Sequence, residues 1–194
     1  MKKIVAVRML VLICSVAAPA FAFATPIAHP SLQSQPGDFI GQGGTFDILY
    51  QSPPDTVSGQ IRRRLADGSP SELLFLLDSP APGNQFALLF FGTDQLGVPI
   101  QPGTYPNAQR ADFATPGHPG LDVSFQNRGS NTLTGSFTIL DVTFFSDPLA
   151  GLQIATFHAQ FEQHSEGAVP QCSEIFSTTR REPQYQNPRR CCSA

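Results

Sequence analysis

The stretch "NTLTGSFTILDVTFF", Asn131–Phe145, followed by "LQIATFHAQFEQH", Leu152–His164, decides the fold. In both segments apolar residues recur at every second position, the period of a strand with one buried face. Leu133, Phe137 and Ile139 share one face of the first segment. The phase then changes, and Leu140, Val142 and Phe144 share the other. Such a change inside one strand predicts a bulge or a crossing between sheets. In the second segment Phe157, Ala159 and Phe161 point inward, with Ile154 out of phase. His158, Gln160, Glu162 and His164 point outward. The turn-forming "DPLAG" between the segments makes them two arms of one hairpin.

Working outward, Pro and Gly punctuate the chain at short intervals, and no segment sustains a 3.6-residue apolar period. "GTFDILY" (Gly44–Tyr50) and "SGQIRRR" (Ser58–Arg64) read as strands. "LLFLL" (Leu73–Leu77) and "FALLFF" (Phe86–Phe91) are short continuous apolar runs, expected as neighbouring strands buried on both faces. Pro80 and Pro82 between them argue against one long helix. "PGTYP" (Pro102–Pro106) and "LDVSF" (Leu121–Phe125) are shorter strands, and 101–120 reads as a long loop. The expected fold is all-β: a single antiparallel β-sandwich, jelly-roll-like, or a partly open barrel.

The start of the chain has the pattern of an export signal. Lys2, Lys3 and Arg8 precede the apolar "MLVLICSVAAPAFA", and cleavage is expected near Ala22 or Ala24. The apolar run is too short and too broken by Ala and Pro for a membrane span, and no other segment of the mature chain reads as one. The mature protein is therefore expected to be secreted, periplasmic or on the cell surface. Residues 25–43 read as an extended leader, 44–170 as the β-domain, and 171–194 as a disordered tail. From Thr25 to Pro170 there is no lysine, and acidic residues outnumber Arg62, Arg63, Arg64, Arg110 and Arg128. Nucleic acid is excluded as a partner, because phosphate binding needs a basic face. "IRRRL" reads as a solvated strand edge.

"PGTYPNAQRADF", "PGLDVSFQNRGSNTLTGSFTILDVTF" and "FHAQFEQHSEG" together resemble a recurring exported bacterial all-β domain of uncharacterised function. The resemblance spans Gly41 to Pro170. It implies an exported β-domain and carries no catalytic motif. Where the resembling domains carry cysteine in "RGSN" and "QHSEG", this chain has Ser130 and Ser165. The resemblance therefore implies a vacated disulfide. The hairpin turn near residues 148–149 places these two within one bulge of direct opposition. Loss of both cysteines together avoids a free thiol in an oxidising compartment.

The resembling domains also close with one more strand, of the kind Leu-Gly-x-Ile-x-x-Asn. Here Cys172, Cys191 and Cys192 crowd the end of the chain with Arg180, Arg181, Arg189 and Arg190. One synonymous coding of "QCSEIFSTT", read a nucleotide out of phase, yields Val-Leu-Gly-Asp-Ile-Gln-His-Asn. The tail is thus compatible with a frameshift near Pro170, which would leave an unpaired edge near Gly167. The alternative is a genuine tail with redox-active or lipid-modified cysteines.

Candidate chemistry is sparse. Glu162, His164 and Glu166 share a strand period and form the weak metal candidate, with His118 able to join only by folding back. The competing reading is the wet face of a hairpin. Asp67 and Asp78 are turn residues, and no DxDxDG-like spacing exists for calcium. There is no nucleophile–base motif, phosphate loop or metal cysteine pair. No catalytic residue and no cofactor is assigned. Phe supplies 16 residues against three Tyr and no Trp, which favours core building over sugar stacking. The expected function is an exported non-enzymatic module in a surface, adhesive or ligand-binding role, with a surface glycan or protein as partner. The alternative is a metal-dependent hydrolase using the Glu162/His164 strand face.

Overall fold

A computed structural model of the chain describes residues 25–83, 85–167 and 171–179, with only the backbone of 171–175. The eleven strands are β1 (Ile27–Ser34), β2 (Thr45–Asp47), β3 (Tyr50–Gln51), β4 (Thr56–Arg64), β5 (Pro70–Asp78), β6 (Ala87–Gly92), β7 (Gly103–Arg110), β8 (Gly120–Phe125), β9 (Leu133–Asp147), β10 (Gly151–Ser165) and β11 (Gln171–Thr179). They form one sheet in the order β2-β1-β11-β10-β9-β7-β8-β6-β5-β4, with β3 paired to β1. All pairings are antiparallel except β7 with β8. The sheet folds over on itself without closing into a barrel. β7 forms the bend, pairing with β9 on one side and β8 on the other. No described helix is long and apolar enough to cross a membrane.

Phenylalanine fills the space between the two layers. Phe75 on β5 lies 4.8 Å from Phe157 on β10 and 4.9 Å from Phe176 on β11. Phe91 on β6 reaches Phe157 at 5.1 Å and Phe137 at 5.4 Å. These rings are fully buried, and their edge-to-face and tilted contacts add to the area they remove from water. An apolar cavity of about 10 Å³, bordered by Leu32, Phe46, Leu89 and Phe125, has room for one water and no ligand.

The β9–β10 hairpin is built as the period-two pattern requires, and two bulges explain its phase changes. The register shifts between His158 and Ala159, and again between Ile154 and Thr156. The first leaves Leu140 exposed and returns Val142 and Phe144 to the core side. The second brings Ile154 into the core. The phase change is therefore a bulge and not a crossing, and the expectation that Leu140, Val142 and Phe144 occupy the opposite face is corrected. Asp147 caps the turn, accepting the N–H groups of Leu149 and Ala150. Gly135 has a specific reason: a Cβ there would lie within van der Waals overlap of the Glu162 carbonyl oxygen across the hairpin.

Several boundaries differ from the sequence reading. The 25–43 leader contains β1, which lies between β11 and β2 and buries Ala28 and Leu32. The loop expected over 101–120 contains β7 and the 3-10 turn Ala111–Phe113. "LLFLL" and "FALLFF" are neighbours, as read, but only their inner face is fully buried; Leu74, Leu76, Leu88 and Phe90 remain half-buried outside. The largest correction concerns the tail. Gln171–Thr179 is a strand, paired with β10 on one side and β1 on the other. No edge is left open beside Gly167, and the closing strand forms from the residues as they stand, without a shifted frame. Among its described side chains Phe176 is fully buried. That aromatic and two paired neighbours support a strand whose apolar pattern is weak. The signal-like segment 1–24 and residues 180–194 lie outside the described residues.

Candidate functional site

Strand β10 carries two sets of side chains. Outward, the His164 Nε2 lies 2.7 Å from Glu162 Oε1, a half-exposed pair two residues apart on one strand. Glu166 does not join them. It follows β10 in a left-handed conformation, and its carboxylate accepts the Asn131 N–H and the Thr132 hydroxyl. Those bonds hold its pKa below the ordinary carboxylate value, the Asn131 N–H most of all. His118 is elsewhere, with its Nδ1 3.0 Å from the Asn107 carbonyl oxygen. Among the described residues no three His, Cys, Asp or Glu side chains come together to hold a metal.

Inward, the same strand presents Gln163 and Ser165, both buried. The Gln163 side chain crosses to β8 and imitates a strand partner. Its Oε1 accepts the Val123 N–H at 2.9 Å, and its Nε2 donates to the Val123 carbonyl at 3.0 Å. Beside it Ser130 Oγ donates to Ser165 Oγ at 2.7 Å. Ser130 precedes β9, and Ser165 pairs in register with Leu133, so the two serines meet through their side chains rather than as ladder partners. The period that places Phe161 inward also places Gln163 and Ser165 inward.

A second cluster lies on the opposite layer and was not legible in the sequence. A register shift at Ile61/Arg63 inserts one extra residue into β4 and turns both Arg62 and Arg63 toward Glu72 on β5. Glu72 is fully buried. Its Oε1 receives Arg62 at 2.9 Å, and Arg63 approaches at 3.7 Å. Arg62 also binds Asp112 at 2.7 Å, and Arg63 binds Asp94 at 2.8 Å. Arg62 stacks over the Phe90 ring, 5.0 Å from its centroid. Burial pushes the Glu72 carboxyl above its ordinary value, although Arg63 and Arg62 pull it down. The reading of "IRRRL" as a solvated edge is thereby corrected: β4 does end the sheet, but two of its three arginines clasp a buried carboxyl. One row away, Asp122 on β8 receives Arg110 Nε at 3.0 Å, and burial raises its pKa too.

The outer face of β9, β10, β11 and β1 is different in kind. Ser136 and Thr138 on β9, His158 and Gln160 on β10, and Ser31 and Gln33 on β1 all face away from the core. The Thr138 hydroxyl lies 3.1 Å from that of Thr104 on β7. β9 pairs with β10, and β1 joins them through β11, so these groups form an array of hydroxyls, amides and imidazoles on one face. It includes two carboxylates: Glu162, engaged by His164, and Asp141, which stands opposite His158 and accepts the Thr156 hydroxyl.

No family model, no curated protein and no solved structure matches this chain.

Proposed function

We propose that the chain is an exported, non-enzymatic β-module whose outer β9–β10–β11–β1 face binds a neutral surface glycan. The observation that carries this reading is the array just described: hydroxyl, amide and imidazole groups on paired strands, with Glu162 and Asp141 each hydrogen-bonded to a neighbour. Such groups can both donate and accept, which is what a ligand rich in hydroxyls requires. The array has no aromatic platform, so affinity would come from many hydrogen bonds and from multivalent display rather than from stacking. The signal-like first 24 residues and the resemblance to exported domains support the extracytoplasmic setting.

The test is a screen of the mature protein against arrayed neutral glycans and polysaccharides. Binding to at least one is expected, with Thr138→Ala and Gln160→Ala each weakening it, and the double variant by about tenfold or more. No binding to any glycan, or binding that neither substitution weakens, would remove this reading.

A further inference from the structure

The Glu72 cluster is short of one positive charge. Five charged groups face one another there: Arg62 and Arg63 from β4, Glu72 from β5, Asp94 from the turn after β6, and Asp112 from the 3-10 turn. Arg64 turns away to the Gly68 carbonyl, and Asp122 on β8 is matched by Arg110. With every group ionised, three carboxylates face two guanidiniums.

The guanidiniums also serve only some of the oxygens. Arg62 and Arg63 approach Oε1 of Glu72, and Arg63 takes Oδ2 of Asp94. Glu72 Oε2 and Asp94 Oδ1 are buried and accept no hydrogen bond. Both border the same small space above Gly92: a Cβ on that glycine would lie 3.1 Å from Asp94 Oδ1 and 3.3 Å from Glu72 Oε2. Two ionised carboxylates turned toward one small buried space repel each other, and orphan acceptors are costly there. A proton on Glu72 removes the repulsion and one buried charge, and it brings the cluster to formal neutrality.

We infer that the buried Glu72 carboxyl, facing Asp94 with an unserved oxygen, carries a proton in the folded protein, making the clasp on β4 a proton-dependent latch. The desolvation that raises the Glu72 pKa acts in the same direction, and Asp94 adds to it. The sign follows from linkage. A carboxyl whose folded pKa lies above its unfolded value contributes stability that is complete below the unfolded value and is lost as pH rises through the folded one. Strand β4 yields first, because it ends the sheet and is hydrogen-bonded to β5 alone.

The experiment follows the melting temperature of the mature chain from mildly acidic to mildly alkaline pH, for the wild type, Glu72→Gln and Asp94→Asn. The wild type is expected to lose melting temperature as pH rises through the raised Glu72 value, with faster amide exchange in β4. Glu72→Gln supplies a permanent N–H donor, so its profile is expected to be flatter, and at the alkaline end it should melt at or above the wild type. Asp94→Asn is expected to flatten the profile too. The carbonyl stretch of a protonated carboxyl should persist in the infrared spectrum above the pH at which exposed carboxyls ionise, and vanish in Glu72→Gln. A Glu72→Gln protein that fails to fold, or melts lower at every pH, would identify an ordinary ion pair and overturn the latch. An Asp94→Asn profile as steep as the wild type would overturn the part given to the Asp94 charge.

Discussion

Two polar clusters are built into this sheet, and they solve burial in opposite ways. Around Gln163 every group is neutral. The amide has both a donor and an acceptor, the Val123 backbone offers the complementary pair, and two serines close the remainder. Around Glu72 the groups are charged. Each carboxylate has two oxygens to satisfy, the guanidiniums come from one strand only, and buried oxygens are left over. A neutral amide can be closed by the N–H and carbonyl of a single residue. A buried carboxylate needs donors from several directions, or a proton.

The comparison can be broken first at Gln163. Gln163→Ala orphans both the N–H and the carbonyl of Val123 and opens a gap between the layers. It should cost about 3–5 kcal/mol by chemical denaturation, since each buried orphan costs roughly 1–3 kcal/mol. A loss below about 1 kcal/mol would mean that water replaces the amide, and the contrast between the clusters would fail.

The neutral cluster can also be sharpened. Ser130→Cys with Ser165→Cys places two thiols where two hydroxyls now touch, and a disulfide should form on oxidation. The oxidised double variant should be more stable than its reduced form by roughly 2–4 kcal/mol. Mass spectrometry that found both thiols free after oxidation would exclude a bridge at this site.

The smallest effect is expected on the wet side of the same strand. Glu162→Ala and His164→Ala should each change stability by less than about 1 kcal/mol, because a half-exposed pair is worth little. Zinc should leave the melting temperature unchanged. A zinc-dependent rise abolished by His164→Ala would make this face a metal site after all.

Strand character was legible wherever the apolar period was strong. Leu133, Phe137, Phe157 and Phe161 mark the hairpin arms, and all four are buried. The same period places Gln163 and Ser165 inside and Glu162 and His164 outside, although polar residue type alone points all four outward. Where the period was weak, neighbours decided. "QCSEIFSTT" has little pattern of its own, yet it becomes β11 because β10 and β1 each offer a free row of backbone donors and acceptors. β1 reads as a leader in the sequence because nothing local shows that this segment will pair with one more than a hundred residues away.

The chain by itself thus determined an all-β fold, the hairpin at its centre and the inward or outward facing of its residues on the open-end side of the two bulges. Those properties depend on residues two apart, and the backbone pleat fixes them locally. Only the tertiary structure decided that Arg62 and Arg63 meet Glu72, Asp94 and Asp112. That meeting needs a bulge in β4, its register with β5, and two turns folded down from β6 and β7. Each is a long-range choice made by the packing of the core, and no spacing along the chain records it.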